Sequence, residues 1–298
     1  PLAYFFAFAG MIGCLPAFQS NQLIQITGDL AFSEIENFNI FGGLVLAGIT
    51  GIVVIGGLKR IAEVATFLVP LMGSIYFGAM LIALTLNLDQ VFPAFILILV
   101  DAFNGTAIAG GTFFGVLIYG VRRGAFSNEA GMGTESLVHG VAKVSDPVKQ
   151  GLVAMTGPIF DTLIICTATA LMILISGVWE TSASQGVTLT AEAFSMLLGN
   201  FGGFILFICV ICFGLSTIFT YSYYGASCSR FLFGKFGMKF YIYLYILSIF
   251  IYSIVPIDIA INIADGAFAM MAIPTLVSAL WLAPKVMQAS KNYFKLIK

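Results

Sequence analysis

The chain has 298 residues, 60% of them hydrophobic and only 9% charged, with a formal net charge of −1. Soluble domains carry about 25% charged and about 45–50% apolar residues, so this composition excludes a water-soluble fold and points to an all-α, polytopic membrane protein. The near-neutral balance leaves no basic field for nucleic acid, and a single histidine, His139, excludes multi-histidine metal catalysis.

A spanning helix needs about 20 mostly apolar residues. Eight stretches qualify in chain order, at about 2–24, 38–57, 64–86, 104–121, 149–177, 201–226, 240–256 and 262–284. The 87–103 stretch is expected to lie along the interface, and the more polar 182–200 stretch to form an external loop with a short helix. With eight spans, all thirteen Lys and Arg fall on the side shared by the two termini, so the positive-inside rule makes both ends cytoplasmic. The opening Pro-Leu-Ala-Tyr has neither an initiator Met nor a charged n-region. It does not read as a signal peptide; the chain is expected to be trimmed to the start of a spanning helix. No tandem repeat or linker divides it, so residues 1–298 read as one transmembrane domain. The 32 glycines suit close helix packing in lipid. Cys14, Cys166, Cys209, Cys212 and Cys228 lie in apolar runs and read as buried thiols rather than ligands.

Several polar groups interrupt the apolar pattern. Gln19, Ser20 and Asn21 follow Pro16 and face either a polar cavity or the outer interface. Asn104–Thr112, which contains Ile108, Ala109, Gly110 and Gly111, is either a glycine-rich helix start or an unwound segment of the kind transporters place at the midplane. Gly124–Gly133, containing Asn128 and Glu129, follows Arg122 and Arg123; it reads as a loop, a cap or a gate, and lacks the Lys-Ser/Thr ending of a phosphate loop. Asp161 sits inside the fifth span, where a carboxylate is costly and marks a functional site, a cap on a Pro158 kink or an ion pair. In the sixth span Thr217 and Tyr221 are four apart and share a helix face. The hydroxyls of Ser216 and Thr217 suit a hard cation such as sodium, or bond back to their own helix. Asp265 is expected at the outer opening of the eighth span, favouring a helix N-terminus. No enzyme constellation is present: no paired intramembrane aspartates, HExxH or GxSxG.

Phe126-Ser127-Asn128-Glu129-Ala130-Gly131-Met132-Gly133, with His139, Asp146-Pro147-Val148, Gln150-Gly151-Leu152 and Asp161-Thr162-Leu163, resembles the alanine/glycine:cation symporter family. Further matches run the length of the chain, among them Gln19-Ser20-Asn21, Gly56–Ala62, Phe213–Ile218, Ser222–Gly225 and Met271–Pro274. The resemblance implies a leucine-transporter-like fold of two inverted five-helix repeats, of which these eight spans correspond to core helices three to ten and the first two are absent. It implies sodium-coupled symport of a small neutral amino acid such as alanine or glycine by alternating access, with sodium as coupling ion and no other cofactor. Gln19, the Ile108-Ala109-Gly110-Gly111-Thr112 break, Thr217 and Tyr221 would face the amino acid, and Phe213, Ser216 and Thr217 the sodium ion. Asn128, Glu129, Asp161 and Asp265 would serve as gating or structural polar groups. The sequence departs from the family pattern at Tyr221 (usually Trp), Ile108 (usually Phe), Ala226 (usually an acid) and Thr134–Val138. These changes leave the exact amino acid open. The alternatives are a proton-coupled or uncoupled transporter of the same fold and a non-transporting amino-acid sensor.

Overall fold

The computed structural model describes residues 1–103 and 112–297, and every regular element among them is helical. The first apolar run, Leu2–Ala31, is two helices, α1 (Leu2–Gly13) and α2 (Ala17–Ala31). Pro16, which lacks an N–H and clashes with the preceding turn, separates them. The first predicted span ended at residue 24. The helix runs on to Ala31, so Gln19, Ser20 and Asn21 open its second half instead of closing the span.

Next come α3 (Phe38–Val54), α4 (Gly57–Leu86) and α5 (Leu88–Ala102), the last in the stretch expected along the interface. α6 (Thr112–Asn128) continues seven residues past the predicted end of the fourth span at 121. A short α7 (Thr134–His139) leads to α8 (Pro147–Pro158), a π-helical segment at Ile159–Cys166 and α9 (Thr167–Ser176). Asp146 caps α8 by accepting from the Val148 N–H at 2.8 Å, with Pro147 at the first helical position. After α10 (Val178–Thr181) comes α11 (Val187–Leu198), the short helix expected in 182–200. The chain ends in α12 (Asn200–Ile254) and α13 (Ile257–Ile297).

Five helical stretches among the described residues are long and apolar enough to cross a bilayer: Leu2–Ala31, Gly57–Leu86, Pro147–Ser176, Phe201–Ile254 and Ile257–Leu296. The fourth holds two predicted spans, because Gly234 (φ 69°, ψ −159°) divides α12 into two limbs. That left-handed conformation costs glycine little and a β-carbon-bearing residue much more. With the large exposed apolar side chains of α4 to α6, such as Phe67, Phe92 and Phe114, this is the surface of a multi-pass membrane bundle, facing acyl chains rather than water.

α12 is the centre of the packing, contacting α1 to α4 and α11. Its two limbs fold onto each other: the Tyr245 hydroxyl donates to the Ile218 carbonyl at 2.6 Å, and the Tyr241 hydroxyl reaches the Met11 carbonyl at 2.8 Å. Both rings are fully buried. The approach is close because residue 225 has no side chain; a Cβ there would collide with the Tyr241 hydroxyl oxygen. Gly225→Ala is therefore expected to destabilise by about 3 kcal/mol, the upper part of the overpacking range. A thermal-unfolding midpoint in detergent equal to that of the parent would contradict this packing.

Candidate functional site

The breaks in the helices bring polar groups together inside the bundle. A cavity of about 450 Å³ is lined by Phe18, Gln19 and Gln22 of α2, by Phe213, Gly214, Thr217 and Tyr221 of α12, and by Phe126, Ser127 and Glu129. Val187, at the start of α11, closes one side and donates its N–H to Gln22 Oε1 at 3.3 Å. Four predicted substrate or ion residues thus share one wall: Gln19, Phe213, Thr217 and Tyr221. Ser216 lies on another side of α12, where its hydroxyl donates to the Phe213 carbonyl at 3.0 Å and sits 3.9 Å from Met72 Sδ. Ser20 likewise bonds its own helix at Pro16. Asn21 instead donates to the carbonyls of Val255 and Tyr252, at 2.7 and 3.3 Å, tying α2 to the end of α12. Ile108, Ala109, Gly110 and Gly111 lie outside the described residues, and Thr112 opens α6.

The end of α6 and the residues just after it also line the cavity. The backbone past α6 turns left-handed three times, at Glu129 (φ 56°), Gly131 (φ 82°) and Gly133 (φ 89°). Glu129 is the exception, since residues with a Cβ seldom adopt that region. Asn128 Oδ1 accepts from the Ala130 N–H at 2.9 Å, the local bond that shapes the turn. Two side-chain bridges anchor the segment to the π-helical stretch: Ser127 donates to Asp161 at 2.7 Å, and Asn128 to Thr162 Oγ1 at 2.9 Å.

These bridges fix the depth. Asp161 stands 14 residues from Pro147 and 15 from Ser176, the ends of one continuous span, or about 21 Å from each at 1.5 Å per residue. Residues 127–129 are therefore central to the bundle, not a cytoplasmic loop beyond it. Asp161 lies with Ser127, Glu129, Glu135, His139 and Tyr224 around a second cavity of about 310 Å³. Ser127 and Glu129 border both cavities.

Glu129 carries the site's electrostatics. Thr134 donates to its carboxylate at 2.6 Å, and Tyr221 lines the same cavity as Glu129. Glu135 and Asp161 border the second cavity with it, so three carboxylates share that region. Among the described residues no cation pairs with it; the ion pairs are Lys59–Glu63 and Arg123–Asp265.

The Arg123–Asp265 pair corrects two expectations. Asp265 was placed at the outer opening of the last span, and Arg122–Arg123 in a cytoplasmic loop. Asp265 is instead eight residues into α13, about 12 Å from its start, where Arg123 Nη2 donates to both carboxylate oxygens at 2.5 Å. Arg123 lies within α6, its guanidinium 5.4 Å from the Tyr119 ring and 5.6 Å from that of Phe126. Asp265 thus joins two helices and is not a helix-opening charge. Phe126 packs edge-on against Phe18 at 5.1 Å and Phe268 at 5.2 Å, forming the aromatic partition between the first cavity and the ion pair. The sequence reading missed Phe18 and Phe126 as walls; their available signal was adjacency to Gln19 and position within the Phe126–Gly133 motif.

Residues 1–298 match the pattern of the sodium:alanine symporter family over their whole length. The chain belongs to that family. It is therefore part of a family of membrane transporters, not of enzymes. It is 35% identical over 98% of its length to the sodium/alanine symporter AgcS of Methanococcus maripaludis, covering 65% of that protein. It is 34% identical over 98% of its length to the uncharacterized transporter YflA of Bacillus subtilis, covering 63% of it. To the probable sodium/glutamine symporter GlnT of Bacillus subtilis the identity is 33% over 92% of the chain, covering 58% of that protein. This symporter-family chain thus spans less than two thirds of the length of these curated relatives.

Proposed function

We propose that the chain forms the greater part of a sodium-coupled symporter for a small neutral amino acid, working by alternating access as a single transmembrane domain with both termini cytoplasmic. In this reading its helices correspond to core helices three to ten of a leucine-transporter-like inverted repeat. The observation that carries the reading is the convergence of Gln19, Thr217 and Tyr221 with Glu129 on one cavity. The volume falls in the range of small-ligand sites, mostly apolar with a few convergent polar groups. Gln19, Thr217, Tyr221 and the Ile108–Thr112 stretch would contact the amino acid. Phe213, through its carbonyl, and Thr217 would supply oxygens to sodium; Ser216, turned toward Met72, would reach the ion only after a rotamer change. Asn128 and Asp161 would hold the gate segment, and Asp265 the α6–α13 contact. Sodium and substrate bound to the same geometry would each raise the other's affinity.

The relatives named for alanine and for glutamine are 35% and 33% identical, too close together to choose the substrate. Tyr221 in place of the family's tryptophan leaves more room beside Thr217, which favours a neutral amino acid somewhat larger than glycine. Glu129, a carboxylate bordering both cavities with no cationic partner among the described residues, favours a second reading in which a proton takes part in coupling.

The test is radiolabelled alanine uptake into proteoliposomes with and without a sodium gradient, using the 298-residue chain alone and in its full genomic reading frame. Thr217→Ala, which removes one charge-assisted oxygen contact, is expected to raise the sodium concentration for half-maximal uptake about tenfold or more. An unchanged sodium dependence would take Thr217 out of the ion site. Failure of every neutral amino acid to enter would overturn the symport reading itself.

A further inference from the structure

We infer that the last three turns of α13, residues 285–297, form a surface helix that lies on anionic phospholipid headgroups. Three independent features meet there. First, the sequence from Gly266 to Lys298 contains no Asp or Glu but has Lys285, Lys291, Lys295 and Lys298. Second, at about 100° per residue, Val286, Met287, Ser290, Tyr293 and Phe294 fall within an arc of about 120°, while Lys285, Gln288, Lys291, Asn292 and Lys295 occupy the opposite side. Most of the apolar arc is uncovered: Val286 is 63% exposed, Met287 58% and Phe294 48%, with Ser290 and Tyr293 half-buried. Third, this segment continues directly from membrane-spanning helix. Upstream, Ala267, Phe268 and Met271 meet Gly13 in the middle of the bundle, and Leu282 reaches the level of Leu2. Residues 285–297 therefore emerge at the end of α1, just past Trp281, an aromatic of the kind that marks the headgroup level.

The charge at that end is mostly basic, although Glu63 pairs with Lys59 and Glu135 borders the cavity that holds Leu2 and Leu282. The Tyr4 ring at the start of α1 lies 5.1 Å from that of Phe231, which places Arg230, Lys235 and Lys239 on the same side. α3 runs antiparallel to the second limb of α12, with Gly43 beside Ser253 and Gly51 beside Ile246. The junction after α3, with Lys59 and Arg60, consequently shares this end. A helix with an exposed apolar arc, flanked by lysines and joined to a span, fits an interface whose surface is negative and whose interior is apolar. Each lysine near such a surface strengthens association about fivefold. Pro284, just before the segment, supplies a point at which the helix can bend toward the membrane plane.

The experiment places a single tryptophan at position 294 or at position 292 in the whole chain, with Trp179 and Trp281 replaced by Phe, and reconstitutes it with bromine-labelled lipids. In vesicles containing about 30 mol% phosphatidylglycerol, Phe294→Trp is expected to emit blue-shifted and to be quenched about twofold more than Asn292→Trp. The difference should shrink in pure phosphatidylcholine and at about 0.5 M NaCl. Lys291→Gln/Lys295→Gln should raise the phosphatidylglycerol fraction needed for half-maximal quenching. Equal quenching at the two positions, or quenching indifferent to phosphatidylglycerol and salt, overturns the inference. Blue-shifted but unquenched emission from the Phe294→Trp chain also overturns it, because protein rather than lipid would then cover the apolar arc.

Discussion

Asp265→Asn is expected to lower the stability of the chain by about 3 kcal/mol, the low end of the cost of breaking a buried ion pair. The low end applies because the Arg123 and Asp265 side chains keep 28% and 20% of their surface exposed. The cost arises less from the lost attraction than from what remains: a guanidinium inside a helical bundle with no carboxylate to face. Among the described residues Arg123 Nε has no hydrogen-bond partner, so none of them takes up the charge once Asp265 is neutral. Replacing both partners with apolar residues of similar size removes that stranded charge. Arg123→Met/Asp265→Leu should therefore recover most of the loss, as paired replacements of buried ions often do. Thermal unfolding in detergent reads both outcomes, with roughly 2–4 °C expected per kcal/mol for a domain of this size class. If the single variant melts with the parent, the pair does not hold α6 to α13. If the double variant melts no higher than the single, the pair's geometry, and not its charge balance, is what matters.

That ion pair also marks where sequence reasoning stops. Apolar run length depends only on local composition, so the long apolar helices were legible, as was the pairing of Thr217 with Tyr221, which follows from helical spacing. Depth was not legible beside a broken helix. Arg122 and Arg123 end an apolar run and look like the membrane edge. Only the bridges from Ser127 and Asn128 to the middle of another span show that the chain is still deep inside the bundle at that point. The same holds for Gln19 to Asn21: they were read as closing a first span that ended near residue 24, whereas they lie near the start of a second helix that runs on to Ala31. Ser216 shows a third limit. Adjacent hydroxyls were read as one cation site, but neighbouring residues on a helix point about 100° apart, and a contact with Met72 claims one of them. Long-range pairing settles each of these cases, and spacing carries no information about it.

Glu129→Gln is expected to lower sodium-driven uptake about tenfold or more, the scale of one lost charged contact, while leaving the fold in place. Glutamine keeps the size of the side chain, and its amide oxygen can still accept from Thr134 as the carboxylate does, so the melt should stay within about 1 kcal/mol of the parent. A carboxylate kept between two cavities in a left-handed backbone conformation, with one hydroxyl donor and no cation among the described residues, is poorly explained by stability. Costs of this kind persist where activity depends on them. Glu129→Asp keeps the carboxylate but withdraws it by one methylene, and should retain uptake with weakened sodium affinity. Thermal melts and uptake assays on the same preparations separate the possibilities. A Glu129→Gln protein that melts well below the parent and transports normally would make Glu129 a structural anchor for the segment it begins.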